Sequence, residues 1–280
     1  MSRNKPRKSV DSSRPILDIV VTTAGRFDML KVCLETLNRF KERLNFKVFI
    51  IDNGSDPEER LQYDDLFRWS YDQNFSIKRL QQNAGFPSAA NEGARMGSSP
   101  LIMFLSDDVI LQDGAIESVL SRFSDNKVGI VGIKLIFPPD SVSPIRPAGK
   151  VQHVGLCLNI RGEPIHPLIG WSPSNPKTCI TRDAWAVTGA CLTVRREIFN
   201  KVNGFSTIYG KGTYEDVTLC LQARSLGYRI IMDANAIGFH YVGATVEKRR
   251  ESFPIQHNLM IFQAQFAQSG LMNWNEYEYW

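Results

Sequence analysis

The sequence predicts an α/β protein built on a mostly parallel sheet with helices on both faces. Short, nearly unbroken apolar runs rich in Val, Ile and Phe read as strands buried on both sides. Segments with apolar residues at helical spacing alternate with them, and strand–helix–strand units joined by short loops close as right-handed parallel crossovers. The polar residues that end these runs are Thr22-Thr23, Asp52-Asn53, Asn83 and Asp107-Asp108. In open α/β sheets ligands bind beyond the carboxyl ends of the strands, so these residues are expected around one crevice.

Taken in order, LDIVVTT from Leu17 is the first strand, and Phe27 to Leu44 places Phe27, Leu30, Leu34, Leu37, Phe40 and Leu44 on one helical face. FKVFIID is the second strand, closing in the turn DNGSDPEE, and SIKRL is the third. NAGFPSAANEGARMG is a loop running into a helix of small residues. LIMFLS is the fourth strand, and DGAIESVLSRFS is a helix followed by the apolar run KVGIVGIKLIF. From Pro138 to Asp183 the chain is rich in Pro, Gly and Ser, with short pieces such as HVGLCLNI, which predicts a long excursion containing a hairpin and a loop. AWAVTGACLTV then reads as a strand with a glycine near its start, RREIFNKV as a short helix, and YEDVTLCLQARSLGY as a helix stopped by Gly227. RIIMD and AIGFHYV read as two strand-like runs, and a last helix is expected between Ile255 and Gln268. The resulting division is a basic tail over 1–15, a domain over 16–245 with halves 16–136 and 137–245, and a helical extension over 246–280.

With 280 residues, 43% of them hydrophobic, the chain can bury a large core. No apolar stretch approaches the roughly 20 residues of a transmembrane helix, and the N-terminal residues lack the apolar core of a signal peptide, so a cytoplasmic location is expected. The five cysteines are scattered and never form C-x-x-C, which argues for reduced, mostly buried thiols rather than disulfides or zinc. The net charge of +4 is concentrated in the tail, where Arg3, Lys5, Arg7, Lys8 and Arg14 face Asp11 alone. That tail reads as solvated, and it permits at most a weak association with the anionic cytoplasmic face of a membrane. No nucleic-acid partner is expected.

Two carboxylate clusters carry chemistry. In LIMFLSDDVIL, Asp107 and Asp108 stand together at the tip of a buried strand, where adjacent like charges repel. By itself S-D-D is as well read as a turn, but at a strand's carboxyl end a carboxylate pair suits Mg²⁺ or Mn²⁺ bridged by phosphate oxygens. Glu215 and Asp216 begin a helix, where the dipole alone favours acids. The glycine-containing loop Y-G-K-G-T-Y before them suits a site that admits and releases a substrate. His240, in GFHYV, would be read as structural without this company, as are His153, His166 and His257.

The succession IVVTTAGR, VFIIDNGSD, NAGFPSAANEGA, IMFLSDDVIL, VGIVGIKLI, WAVTGACLTVRREIFNKVNGF, YEDVTLCLQARSLGYRI and AIGFH resembles the inverting nucleotide-sugar glycosyltransferases of family 2, which have the GT-A fold. The likeness runs from Asp18 to His240, and its specificity lies in order and spacing. The resemblance implies a nucleotide-sugar donor held by Thr23, Arg26, Asp52, Asn53, Asn83, Gly85, Asn91 and Asp107. It implies a divalent cation, Mn or Mg, on Asp108 and His240, and an acceptor pocket flanked by Trp185, Gly189, Ala190 and Cys191. It places the catalytic base on Asp216, with Glu215 orienting the acceptor or capping the helix. The acceptor is a hydroxyl of a glycan, a lipid-linked molecule or another compound. Two departures stand out: Ala24 replaces the family's usual tyrosine in P-T-Y-N-R, and Ser106 replaces the first acid of the triplet. A sugar-1-phosphate nucleotidyltransferase and a non-catalytic nucleotide-sugar-binding module are the alternatives.

Overall fold

A computed structural model describes residues 15–242 and 254–272. The tail over 1–14, the segment 243–253 and the C-terminal NWNEYEYW lie outside the described residues.

The first half is a run of parallel crossovers: β1 (Leu17–Thr23), α1 (Phe27–Phe40), β2 (Phe46–Asp52), α2 (Pro57–Asp72), β3 (Ser76–Arg79), α3 (Phe86–Met96) and β4 (Leu101–Ser106). Strand β1 pairs in parallel with both β2 and β4, and β2 with β3. The sheet therefore grows from β1 in both directions. Helices α1 and α2 cover one face through Leu30, Leu34, Leu37, Tyr63 and Phe67, while α3 covers the other through Ala89, Ala90 and Ala94. Full burial of each leucine stabilises by about 1.5–3 kcal/mol. Helix α3 lies close to the sheet because Gly93 has no Cβ; one there would collide with Val20. Since α1 and α3 leave on opposite faces, a crevice opens between the carboxyl ends of β1 and β4.

The second half extends the same sheet. After β5 (Val109–Leu111) and α4 (Ala115–Arg122) come β6 (Val128–Ile136), β7 (Val151–His153), the small antiparallel pair β8 (Cys157–Leu158) and β9 (Pro164–Ile165), β10 (Arg182–Asp183) and β11 (Cys191–Arg195). Then follow α5 (Arg196–Lys201), α6 (Glu215–Ser225), β12 (Arg229–His240) and α7 (Ile255–Phe266). The main sheet order is β10-β12-β6-β11-β4-β1-β2-β3, with β5 beside β12 and β7 beside β6. Strand β11 runs antiparallel between β4 and β6, and β12 is parallel to β6.

Four expectations change. Helix α1 ends at Phe40 rather than Leu44. Helix α2 occupies a stretch read as turn and connection. The run AWAVTGACLTV is extended strand only from Cys191, because Trp185 to Ala190 turn across the strand ends and only Ala186 makes a bridge, to Leu156. RIIMD and AIGFH are one strand, bulged between Asp233 and Ile237. The buried Asp233 holds the bulge, accepting from Arg122 Nε and Nη2 at 2.9 Å, Ser118 Oγ at 2.7 Å and Asn235 N at 3.1 Å.

Candidate active site

A cleft of about 250 Å³ lies at the β1–β4 crevice. Thr22, Thr23 and Ala24 leave β1 on one side; Ser106, Asp107 and Asp108 end β4 on the other. Asn53 and Asn83 line it from the ends of β2 and β3, His240 from the end of β12, and Lys211, Gly212, Thr213 and Glu215 from the approach to α6. Both carboxylate clusters of the sequence thus open onto one cavity.

Asp107 and Asp108 are both buried but electrostatically unlike. Burial, reinforced by the neighbouring Asp108 charge, pushes the Asp107 carboxyl up to about 8, and its Oδ2 is buried without a hydrogen-bond partner. Burial also acts upward on Asp108, but His240 and then Arg26 outweigh it and hold this carboxyl below the usual range. His240 Nε2 lies 3.2 Å from Asp108 Oδ1. Its Nδ1 is 2.9 Å from Gln152 Oε1, an acceptor, so Nδ1 carries hydrogen and Nε2 points at the carboxylate. Gln152 reaches this site from β7, in the Pro/Gly/Ser-rich excursion, and no sequence signal marks it. Among the described residues no group of three or more His, Cys, Asp or Glu converges to hold a metal. One imidazole and one ionised carboxylate with oriented lone pairs nevertheless fit a divalent cation whose other ligands come from outside the protein.

The second pair is split in the same way. Glu215 is buried; desolvation and the Asp216 charge push its carboxyl up to about 8, and Oε2 has no partner. Asp216 is partly exposed and lies beside the cleft next to Gly189, where an added Cβ would meet both Asp216 and the Phe86 ring. Burial raises its carboxyl too, opposed by backbone donors. Oδ2 accepts from Gly189 N at 2.7 Å and Oδ1 from Val217 N at 2.8 Å.

The asparagines build the cleft edge. Asn53 Oδ1 accepts from Ala84 N at 2.9 Å and its Nδ2 donates to Asn83 Oδ1 at 3.2 Å, which also accepts from Gly85 N at 2.9 Å. Thr23 Oγ1 lies 3.0 Å from the hydroxyl of Tyr63, which also accepts from Gly25 N at 3.1 Å and Arg26 N at 2.9 Å. A tyrosine from α2 therefore pins the loop that contains Ala24. Arg26 begins α1 beside a neighbouring pocket that shares His240, and its Nε lies 3.5 Å from Asp28 Oδ1.

Nine expected site residues are not in the lining of this cavity: Arg26, Gly189, Ala190 and Asp216 lie beside it, and Asp52, Gly85, Asn91, Trp185 and Cys191 are engaged elsewhere. Asp52 is fully buried, with Oδ1 accepting from Ser55 N and Oγ at 2.9 and 2.6 Å and Oδ2 from Arg79 Nε at 2.7 Å; it holds the D-N-G-S turn that aims Asn53. Asn91 points to the far side of α3, exchanging hydrogen bonds with Phe205 N and O at 2.9 and 2.8 Å. Gly85 lies under the 210–211 loop rather than in the cleft lining. Trp185 is fully buried against Phe262 and donates to Leu271 O at 2.7 Å, and Cys191 is buried where β11 meets β4. Ala190 accepts from Ser106 N at 2.9 Å. Two histidines read as unaccompanied are paired: His153 and His166 have their Nδ1 atoms 2.9 Å apart, and His153 Nε2 accepts from Thr188 N at 3.4 Å.

A doubly covered α/β sheet with a carboxylate-lined cleft at its switch point defines a GT-A type protein. Its fold is similar to that of GalNAc-T7 with UDP, GalNAc and Mn²⁺ (TM-score 0.66, 12% identity, 82% of this chain and 44% of that one). It is also similar to the mannosyltransferase PcManGT from Pyrobaculum calidifontis in complex with GDP-Man and Mn²⁺ (TM-score 0.58, 13% identity, 94% of this chain and 72% of that one). The family model of glycosyl transferase family 2 matches residues 18–202, and the chain belongs to that family. Among relatives, the O-antigen biosynthesis protein RfbC of Myxococcus xanthus is 28% identical over 248 residues, 86% of this chain and 18% of that protein. Validoxylamine A glucosyltransferase of Streptomyces hygroscopicus subsp. jinggangensis is 36% identical over 111 residues, 38% of this chain and 25% of that protein. The chain spans a quarter or less of the length of these relatives. No described helix is long and apolar enough to cross a membrane.

Proposed function

We propose that the chain transfers a sugar, a hexosyl or related group, from a nucleotide-diphosphate sugar to an acceptor hydroxyl with inversion at the anomeric carbon. The observation that carries this reading is that Asp107, Asp108 and Glu215 line one switch-point cleft, with Asp216 beside it. Glycosyl transfer needs negative charge handled in two places, at the departing diphosphate and at the incoming hydroxyl.

Asp108 and His240 would hold a divalent cation, Mn or Mg, which when bound offsets the charge of the diphosphate leaving group. Thr23, Asn53 and Asn83 present polar groups to the nucleotide, and Arg26 adds positive charge near Asp107 and Asp108. Asp216 is the general base. It takes the acceptor proton as the hydroxyl attacks from the face opposite the leaving group, which inverts the centre. Two backbone N–H donors favour its charged form, whereas Glu215 retains its proton near neutral pH and serves to orient the acceptor. The turn around Gly189 and Ala190 forms the adjoining acceptor side. The names of RfbC and validoxylamine A glucosyltransferase support a glycoconjugate or other hydroxyl acceptor.

The test is to incubate the protein with UDP- and GDP-sugars, Mn²⁺ or Mg²⁺ and a panel of saccharide acceptors, reading anomeric configuration of the product by NMR. A β-linked product from an α-linked donor is expected. Retention of configuration, or nucleotidyl transfer from a nucleoside triphosphate to a sugar 1-phosphate, refutes the reading.

A further inference from the structure

The loop from Tyr209 to Tyr214 forms one side of the cleft through Lys211, Gly212 and Thr213. Its shape is not one the sequence would adopt unaided. Thr213 and Tyr214 are consecutive residues in the left-handed region, at φ 83° and 70°, which is strained for any side chain and most of all for a β-branched one. Such backbone persists where its surroundings over-determine it.

Two elements do so. At the start of α3, Phe86 N donates to Lys211 O at 3.1 Å, and a Cβ on Gly85 would collide with Gly210 O. The other element is α7, beyond both the last strand and the region matched by the family model. Asn258, 1% exposed, directs its Nδ2 to Tyr209 O at 3.0 Å, Gly212 O at 2.8 Å and Thr213 Oγ1 at 2.9 Å. On the same helix Gln265 Oε1 lies 3.3 Å from the Tyr209 hydroxyl, and the Phe262 ring stacks on Tyr214 at 5.6 Å. The chain just after the helix is tied down by Trp185, through Leu271 O. The fully buried tryptophan of the W-x-x-x-G-A-C segment thus belongs to this brace.

We propose that Asn258 is a positioning residue of the donor site, and that α7 acts through it to hold the Lys211–Thr213 wall in the shape that receives the nucleotide diphosphate. This rests on the reading of the cleft as a nucleotide-sugar site. One amide ties two buried carbonyls of the loop, so its removal takes the side-chain donor from Gly212 O, leaves Tyr209 O with only Gly212 N at 3.2 Å, and loosens the hold on the left-handed pair that follows.

The experiment compares Asn258→Ala, Asn258→Asp and Asn258→Ser with Phe266→Leu, a buried change at the end of the same helix whose ring meets the loop only through Phe262. Each full-length variant is measured for melting temperature, for UDP and GDP affinity with Mn²⁺, and for half-saturating nucleotide sugar. Asn258→Ala should weaken nucleotide binding by about tenfold or more. Asn258→Asp should be at least as severe, since it turns a carboxylate oxygen toward three acceptors, and Asn258→Ser, which keeps a hydroxyl donor, should fall between alanine and wild type. Phe266→Leu should lower the melting temperature with nucleotide affinity within about twofold of wild type. Asn258 variants that lose melting temperature yet bind nucleotide like wild type overturn the proposal alone. A wild-type protein that binds neither nucleotide overturns the donor-site reading and this proposal with it.

Discussion

Replacing Asp216 by Asn separates the proposed base from its neighbour. Each oxygen of Asp216 accepts a backbone hydrogen bond, from Gly189 N at 2.7 Å and from Val217 N at 2.8 Å. An asparagine has one acceptor oxygen, so whichever way the amide turns, one N–H of the pair faces an NH₂ group. That leaves one largely buried donor unsatisfied, which costs about 1–3 kcal/mol of stability. The loss is partly offset because the native fold no longer holds an acid whose charged form burial disfavours. The chemical effect is larger: without a proton acceptor, turnover should fall by about 10²- to 10⁴-fold. Donor affinity should be nearly unchanged, because Asp216 lies beside the cleft rather than in its lining. Glu215→Gln is the control. Its native carboxyl, raised to about 8, is already protonated near neutral pH, so the amide is a near-isosteric replacement for the neutral acid. The assay is turnover of nucleotide sugar with donor affinity from calorimetry, on both variants. A dead Glu215→Gln beside a fully active Asp216→Asn refutes the assignment.

Asp108→Asn should abolish most of the Mn²⁺-dependent rise in melting temperature produced by nucleoside diphosphate while leaving the fold intact; calorimetry showing wild-type affinity refutes the role. Both His240→Ala and Gln152→Leu should raise the Mn²⁺ concentration for half-maximal activity, the second because it removes the acceptor that fixes Nδ1–H, and an unchanged metal titration counts against both. Glu215 binds its proton more tightly in the fold, so its contribution to stability is fully present below the unfolded pKa of about 4.3 and is lost as pH rises towards about 8. Denaturant titrations of Glu215→Gln across that window should show a flatter fall in stability than wild type, and parallel curves refute the raised carboxyl.

The strand ends were the legible part of the site because a buried run that stops at Thr23, Asn53 or Asp107 declares its own boundary. Helix α2 was not legible: Tyr63, Leu66, Phe67 and Ser70 have helical spacing, but they are embedded among Asp64, Asp65 and Arg68, and the preceding D-N-G-S-D-P reads as a turn. Tyr63, which pins the Ala24 loop, was lost with it. Asn91 and Trp185 were placed by resemblance in binding roles, but what each bonds to lies 114 and 86 residues away, respectively, on backbone that no local pattern announces. Gln152 is equally hidden, its partner being the His240 ring 88 residues on. Local periodicity finds elements, and polar strand ends find the cleft. Side chains whose partner is distant in sequence become assignable only when topology brings the two together.

The departure at Ser106 acquires a physical reading from the split of each acid pair. Four carboxylates in or beside one cleft cannot all be charged in a low-dielectric setting, and the structure divides each pair by environment. His240 keeps Asp108 ionised while Asp107, with an unpartnered oxygen, is raised to about 8; Gly189 N and Val217 N favour the charge on Asp216 while Glu215 is raised to about 8. In each cluster one carboxyl is thus raised to about 8 and the other has partners that favour its charge: Asp108 on the proposed cation side and Asp216, the proposed base. A third acid at position 106 would have added another carboxyl to the lining that Asp107 and Asp108 already share. It would have added repulsion or one more protonated carboxyl. Serine keeps a polar group on the cleft lining without adding to that repulsion, and its backbone N–H is already committed to Ala190 O, which ties the β4 tip to the turn carrying Gly189. The proposed metal side and the proposed base side are thus joined by two hydrogen bonds on adjacent residues, Ser106 N to Ala190 O and Gly189 N to Asp216 Oδ2.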